Sequence, residues 1–286
     1  MTEVKPRLML SLFAPTPALL AGSALSKALS VQRPVIVHLW DPKPAEVESY
    51  AIDDVSAACR NSGAAAVLCS PSLVKPLVEE QELHRGDFPG PLPVIVDCFL
   101  KDLESEADAD ELTASAKGLG ASAMGLVWRA SDWPEEAALE EALQRATSAA
   151  ERAGLDTILL PQFGAGGVEG ADEAAQLAAK MGSAAALAKG GEPGEDGAVA
   201  LGSWDGTKEE LERLREAGLE GVVLKNACRG DVSRGARTSS PSIAAQFVTK
   251  QVKAALSKKN IDIWGGAGST DFAVKEPTMD DYFNRS

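Results

Sequence analysis

Short apolar runs alternate with helical stretches along most of this chain, and that alternation limits its fold more than any other feature. Residues 197–231 show the unit most clearly: AVAL (198–201), then TKEELERLREAGL (207–219), then GVVL (221–224). In the middle stretch Leu211, Leu214 and Leu219 recur at helical spacing, with charges between them. Thr207 and Glu210 have the spacing of a capping box, and Gly218 suits a left-handed C-cap. Two apolar strands joined by one amphipathic helix require a crossover, and a crossover makes the pair parallel.

The same unit recurs through the chain. The spacing predicts eight strands, at 34–40, 64–69, 92–98, 122–128, 156–161, 184–189, 198–203 and 221–226. Helices are expected at 46–63, 72–83, 107–120, 134–154, 171–182, 207–219 and 240–260, while the sixth and seventh strands read as loop-connected. Runs such as LPVIVDCF (92–99) are apolar without alternation, as strands covered on both faces are. The fold class is therefore α/β, and eight strands alternating with helices fit a (β/α)8 barrel better than an open doubly wound sheet. The expected division is an N-terminal arm with a helix near 17–30 (residues 1–33), a barrel (34–260) and a C-terminal tail (261–286).

Charge and cysteine usage narrow the function classes. A net charge of −14 argues against nucleic acid and anionic membrane surfaces, which call for dense Lys and Arg. The apolar stretch formed by LMLSLF (8–13) and the PALLAGSALSKAL that follows is broken by Pro15 and Pro17 and is too short to span a bilayer. The four cysteines are far apart with no CxxC, which points to a reducing intracellular compartment, cytoplasm or plastid stroma. With two histidines, a His-based metal site is not expected, and no cofactor motif is present: GAGGVEG (164–170) lacks the Lys-Ser/Thr ending of a P-loop. His38, between Val37 and Leu39, reads as a packed strand residue.

From about residue 34 to 231 the chain resembles the indole-3-glycerol-phosphate synthases, barrels that close an indole ring with loss of CO₂ and water. The likeness is carried by SGAAAVL (62–68), LPVIVDCFL (92–100), the helix and strand at 107–128, and TKEELERLREAGLEGVVL (207–224). Setting the family's first loop on WDPKP puts Val35 and Val37 at its strand-one Glu and Lys and keeps Lys43. The strand-three Lys falls at Asp97, the strand-five Glu near Leu160, and the strand-six Asn near Lys189. The Ser-Gly pair after strand seven becomes Ser203 and Trp204, and the Gly-Glu pair after strand eight becomes Lys225 and Asn226. Valine transfers no proton, and Asp for Lys inverts a charge, so the resemblance implies a catalytically degenerate barrel.

Three further expectations follow. Barrels often hold phosphate at the loops after strands seven and eight, where Gly202, Ser203, Lys225, Asn226 and Arg229 would receive a phosphorylated small molecule. Lys189, at the end of strand six, resembles the Schiff-base lysine of class I aldolase-type barrels, with Asp97 as a proton carrier. Trp40, Trp128 and Trp204 fall at strand ends, where indoles would fill the old pocket or form a docking surface. The main expectation is a binding or scaffold subunit of a larger protein assembly. The alternatives are an active synthase and a Schiff-base lyase using Lys189.

Overall fold

The computed structural model describes residues 23–30, 34–39, 52–87, 89–129, 132–133, 135–162, 171–188, 199–204, 221–224, 249–250 and 252–253. Its strands are β1 (Val35–His38), β2 (Ala66–Cys69), β3 (Val94–Phe99), β4 (Ala123–Arg129), β5 (Asp156–Gln162), β6 (Ala185–Ala188), β7 (Val199–Trp204) and β8 (Gly221–Leu224). All pair in parallel in chain order, and β8 returns to β1, with Val35 opposite Val222 and Val37 opposite Leu224. The sheet is a closed (β/α)8-type barrel, and each expected strand is found, shifted by one to two residues at its ends.

The described helices are α1 (Ala24–Leu29), α2 (Ile52–Ser62), α3 (Pro71–Leu83), α4 (Glu106–Gly118), α5 (Glu136–Ala153) and α6 (Ala171–Met181). A 3₁₀ turn at Leu100–Asp102, not foreseen from the sequence, follows β3. Local chemistry fixes several ends. Pro71 opens α3, where its missing N–H is no loss. Ser105 and Asp108 form a reciprocal capping box on α4. Gly154 closes α5 with φ 68°, in the left-handed region glycine favours.

Strand residues split by parity into two buried clusters. Val35, Val37, Val67, Val96, Met124 and Leu126 belong to one that includes helix residues such as Val55, Leu77 and Leu143, so this is the layer between sheet and helices. Ile36, Leu68, Ile95, Ile158, Leu160 and Val223 belong to the other, which takes nothing from α2–α6 and so fills the barrel interior. Leu25 and Leu29 of α1 join this inner cluster. The Ser23 hydroxyl donates to the carboxylate of Asp156, the first residue of β5, so α1 plugs the N-terminal mouth.

Two corrections follow. Val35 and Val37 do not stand at inner catalytic positions, because their parity turns them toward the helices; Ile36 and His38 hold the inner positions of β1. Trp128, 4% exposed, packs in the outer layer and does not fill a pocket at the barrel mouth. Of Trp40 and Trp204, the first lies outside the described residues, and the second is described only as the ladder partner of Leu224.

Candidate functional site

The C-terminal mouth is where βα loops gather catalytic groups in barrels of this kind, and a described cleft opens there. It has a volume of about 620 Å³ and lies over the ends of β1, β2 and β3, against α4. His38, Asp97 and Phe99 line its strand side; Asp102, Asp108 and Glu111 line its outer wall.

The strand alternation positions the first two. His38 follows Ile36 by two residues, and Asp97 follows Ile95 by two, so both stand on the inner face one layer above the apolar filling. His38 is in register with Leu68, and Leu68 with Ile95, which brings the two polar groups together across β2. His38 Nε2 lies 3.8 Å from Asp97 Oδ2, with the side chains 31% and 18% exposed. This is ion-pair range rather than a formed hydrogen bond.

Beneath the pair the interior is apolar, and it is close-packed around Gly125. Gly125 on β4 is the ladder partner of Asp97, and a Cβ built there would meet Leu160 Cδ1 at 2.7 Å and Leu68 Cδ1 at 3.1 Å. The glycine is required because leucines from β2 and β5 occupy the space a side chain would take. Ligand access to His38 and Asp97 is therefore from the cleft above.

The rest of the lining separates into active and inert groups. Cys98 is a poor nucleophile: burial pushes its thiol up to about 12, and the Asp97 and Asp102 charges act in the same direction. Asp108 is committed to the helix cap, accepting from Ser105 N at 2.8 Å, and hydrogen bonds from the Ser105 side chain and backbone hold its carboxyl below the ordinary value. Among the described residues, no group of three or more His, Cys, Asp or Glu could hold a metal ion.

A second polar cluster supports β3 from outside the barrel. Arg60 Nη1 on α2 lies 2.6 Å from Glu80 Oε2 on α3, and the Ser56 hydroxyl donates to the same oxygen. Gln81 donates to Ser56 at 2.8 Å and accepts from Leu92 N at 2.9 Å, just ahead of β3. Burial alone would raise the Glu80 carboxyl; hydrogen bonds from Arg60 and Ser56 outweigh it and hold the carboxyl below its ordinary value.

Of the site residues read from the sequence, Asp97 stands at the mouth. Gly202 and Ser203 belong to β7, where Ser203 is the ladder partner of Val223. Lys43, Lys189, Lys225, Asn226 and Arg229 lie outside the described residues, as does the 164–170 loop. The residue sequence reasoning missed is His38. The available signal was parity: once Val35 and Val37 are outward, His38 is inward.

No family model and no curated protein matches the chain. Solved structures do. The chain is similar to the sialic acid aldolase of Ruminococcus gnavus, at 14% identity and TM-score 0.51, over 81% of this chain and 76% of that one. It is similar to a dihydrodipicolinate synthase from Bacillus clausii, at 12% identity and TM-score 0.51, over 84% of this chain and 78% of that one. An orotidine 5′-phosphate decarboxylase from Pyrococcus horikoshii matches at 13% identity and TM-score 0.49 over 76% of this chain. The fold is a TIM barrel. At these identities the likeness extends to architecture, and no specific family is identified. Among the described residues, no helix is long and apolar enough to cross a membrane, and Cys59, Cys69 and Cys98 form no disulfide.

Proposed function

We propose that this barrel is a Schiff-base carbon–carbon lyase in which the Lys189 amine attacks a small carbonyl substrate and the Asp97 side of the mouth serves the proton transfers. The observation that carries the reading is the inward ionisable pair His38–Asp97, opening on a cleft at the C-terminal mouth above an apolar floor. Sequence pattern supplies the amine. β6 ends at Ala188, and Lys189 is the next residue in the sequence. The overall likeness to the sialic acid aldolase and dihydrodipicolinate synthase structures agrees with this reading at the level of architecture.

The chemistry is that of an activated lysine amine. The unprotonated amine adds to the carbonyl carbon, and water leaves as the imine forms. The protonated imine accepts the electron pair of the adjacent carbon–carbon bond as a base removes the hydroxyl proton of the departing aldehyde. The resulting enamine is reprotonated at carbon, and water releases the second product and restores the amine. The test is borohydride reduction in the presence of pyruvate, followed by peptide mass analysis. A reduced pyruvyl adduct on Lys189, absent from Lys189→Arg, is expected; no adduct at Lys189 overturns the reading.

A second reading is a catalytically inactive, synthase-like barrel that binds a phosphorylated small molecule through Ser203, Lys225, Asn226 and Arg229, or docks in a protein assembly. One observation favours it: the inner positions of β1 and β5 hold Ile36, His38, Ile158 and Leu160, so the Glu-Lys pair and the Glu that the resemblance requires have no counterpart there. Turnover of the synthase substrate by purified protein would eliminate it.

A further inference from the structure

His38 carries the furthest-reaching inference, because it lines the cleft and stands beside the Asp97 carboxylate. Its same-strand and ladder neighbours on the inner face are apolar, Ile36 two residues before it and Leu68 opposite it, while Asp97 stands 3.8 Å away. An apolar side chain there would continue the interior filling. The chain has two histidines, and the other, His84, is accounted for at the end of α3, where it lies 2.8 Å from Asp87 and 3.4 Å from Glu80.

Three features make His38 chemically available. Its side chain is 31% exposed and lines the cleft, so a ligand can reach it. Its Nε2 lies 3.8 Å from Asp97 Oδ2, near enough for the carboxylate to orient the ring and to stabilise an imidazolium. The floor below is hydrocarbon, from Leu68, Ile95 and Leu160, so a proton gained by the ring has no other protein acceptor on that side. Among the described residues, the charged groups that line the cleft with the ring are Asp97 on β3, Asp102 after it, and Asp108 and Glu111 on α4, all carboxylates. Imidazole gains and loses protons near neutrality, as a general base must.

We infer that His38 is the general base that moves the proton at the carbon next to the substrate carbonyl, with Asp97 as its positioning residue; this rests on the proposed carbonyl chemistry of the same site. In the step, neutral His38 takes the α-hydrogen as a proton. The C–H electron pair forms a carbon–carbon double bond, and the π pair moves to the carbonyl oxygen or, where an amine has condensed with the carbonyl, to the nitrogen of the protonated imine, which becomes a neutral enamine. Return of a proton from the imidazolium to the same carbon reverses the step. Nothing is oxidised or reduced.

The test follows α-hydrogen exchange of pyruvate and of hydroxyacetone in D₂O by proton NMR, on the full chain. Wild-type protein is expected to exchange these hydrogens above the buffer rate. His38→Gln is expected to slow exchange by about 10²–10⁴-fold, the usual span for a general base, or to the buffer rate. Added imidazole should restore part of the rate to His38→Ala, where the ring's space is empty, and not to His38→Gln. Asp97→Asn should lower the rate and Asp97→Glu recover part of it, a pattern that mere loss of folding would not give. Wild-type exchange at the buffer rate, or His38→Gln within threefold of wild type, overturns the inference. Trapping at Lys189 without exchange defeats the His38 role alone. Exchange that needs His38 without trapping defeats the Lys189 reading alone.

Discussion

Replacing Glu80 by leucine leaves the Arg60 guanidinium in the α2–α3 interface with its charge uncompensated. Both side chains are about 5–6% exposed, so water cannot stand in for the lost carboxylate. Removing one partner of a buried pair costs about 3–5 kcal/mol, far more than an exposed pair is worth. Ser56 loses its acceptor in the same change, which places the loss in the upper half of that range. For a domain of this size each kcal/mol moves the midpoint by about 2–4 °C, so Glu80→Leu should melt roughly 8–20 °C lower. Arg60→Met/Glu80→Leu should recover part of the loss, because no charge is left buried and Gln81 still donates to Ser56. The pH dependence has a definite sign. The Glu80 carboxyl is held below its ordinary value of 4.5, so its contribution is complete above that value and is lost as pH falls through the lower folded value. Urea unfolding followed by tryptophan fluorescence at pH 7 and pH 5 should therefore give the same wild-type-minus-variant difference. A cost below 1 kcal/mol, or a difference that fades between pH 7 and 5, would refute the reasoning.

Other consequences of the geometry are as direct. Gly125→Ala puts a methyl 2.7 Å from Leu160 Cδ1 and should destabilise by about 1–3 kcal/mol, measurable in the same unfolding assay. Leu25→Ala opens the plug of the N-terminal mouth and should cost about 2–5 kcal/mol, since Leu25 is fully buried in the inner cluster. Cys98, raised to about 12 by burial, should resist alkylation by iodoacetamide at pH 7.5 in folded protein and react fully in denaturant, as mass spectrometry will report.

Strands such as β2 and β8 are legible because they are covered on both faces, and a continuous apolar run bounded by Gly or Pro has few other readings. The same property concealed the site. In VIVH every residue before the histidine is apolar, so no alternation says which side is the interior, and the resemblance was laid on the wrong parity. The register of β1 with β2 and β8 resolves it, placing Ile36 and His38 inside. Trp128 was misread for a related reason: its place at a strand end suggested the mouth, while its parity sends it to the helix layer. The Ser56–Arg60–Glu80–Gln81 cluster was illegible because polar residues on amphipathic helices read as solvated, and only the packing of α2 on α3 buries them. Asp97 was found at the correct strand end, though its partner was not.

The proposed function stands on Lys189 as the reactive amine. Borohydride trapping with pyruvate, read by peptide mass, tests it most directly. The account predicts one reduced adduct, on Lys189, lost in Lys189→Arg. Labelling spread evenly over surface lysines, or none at all, would contradict it.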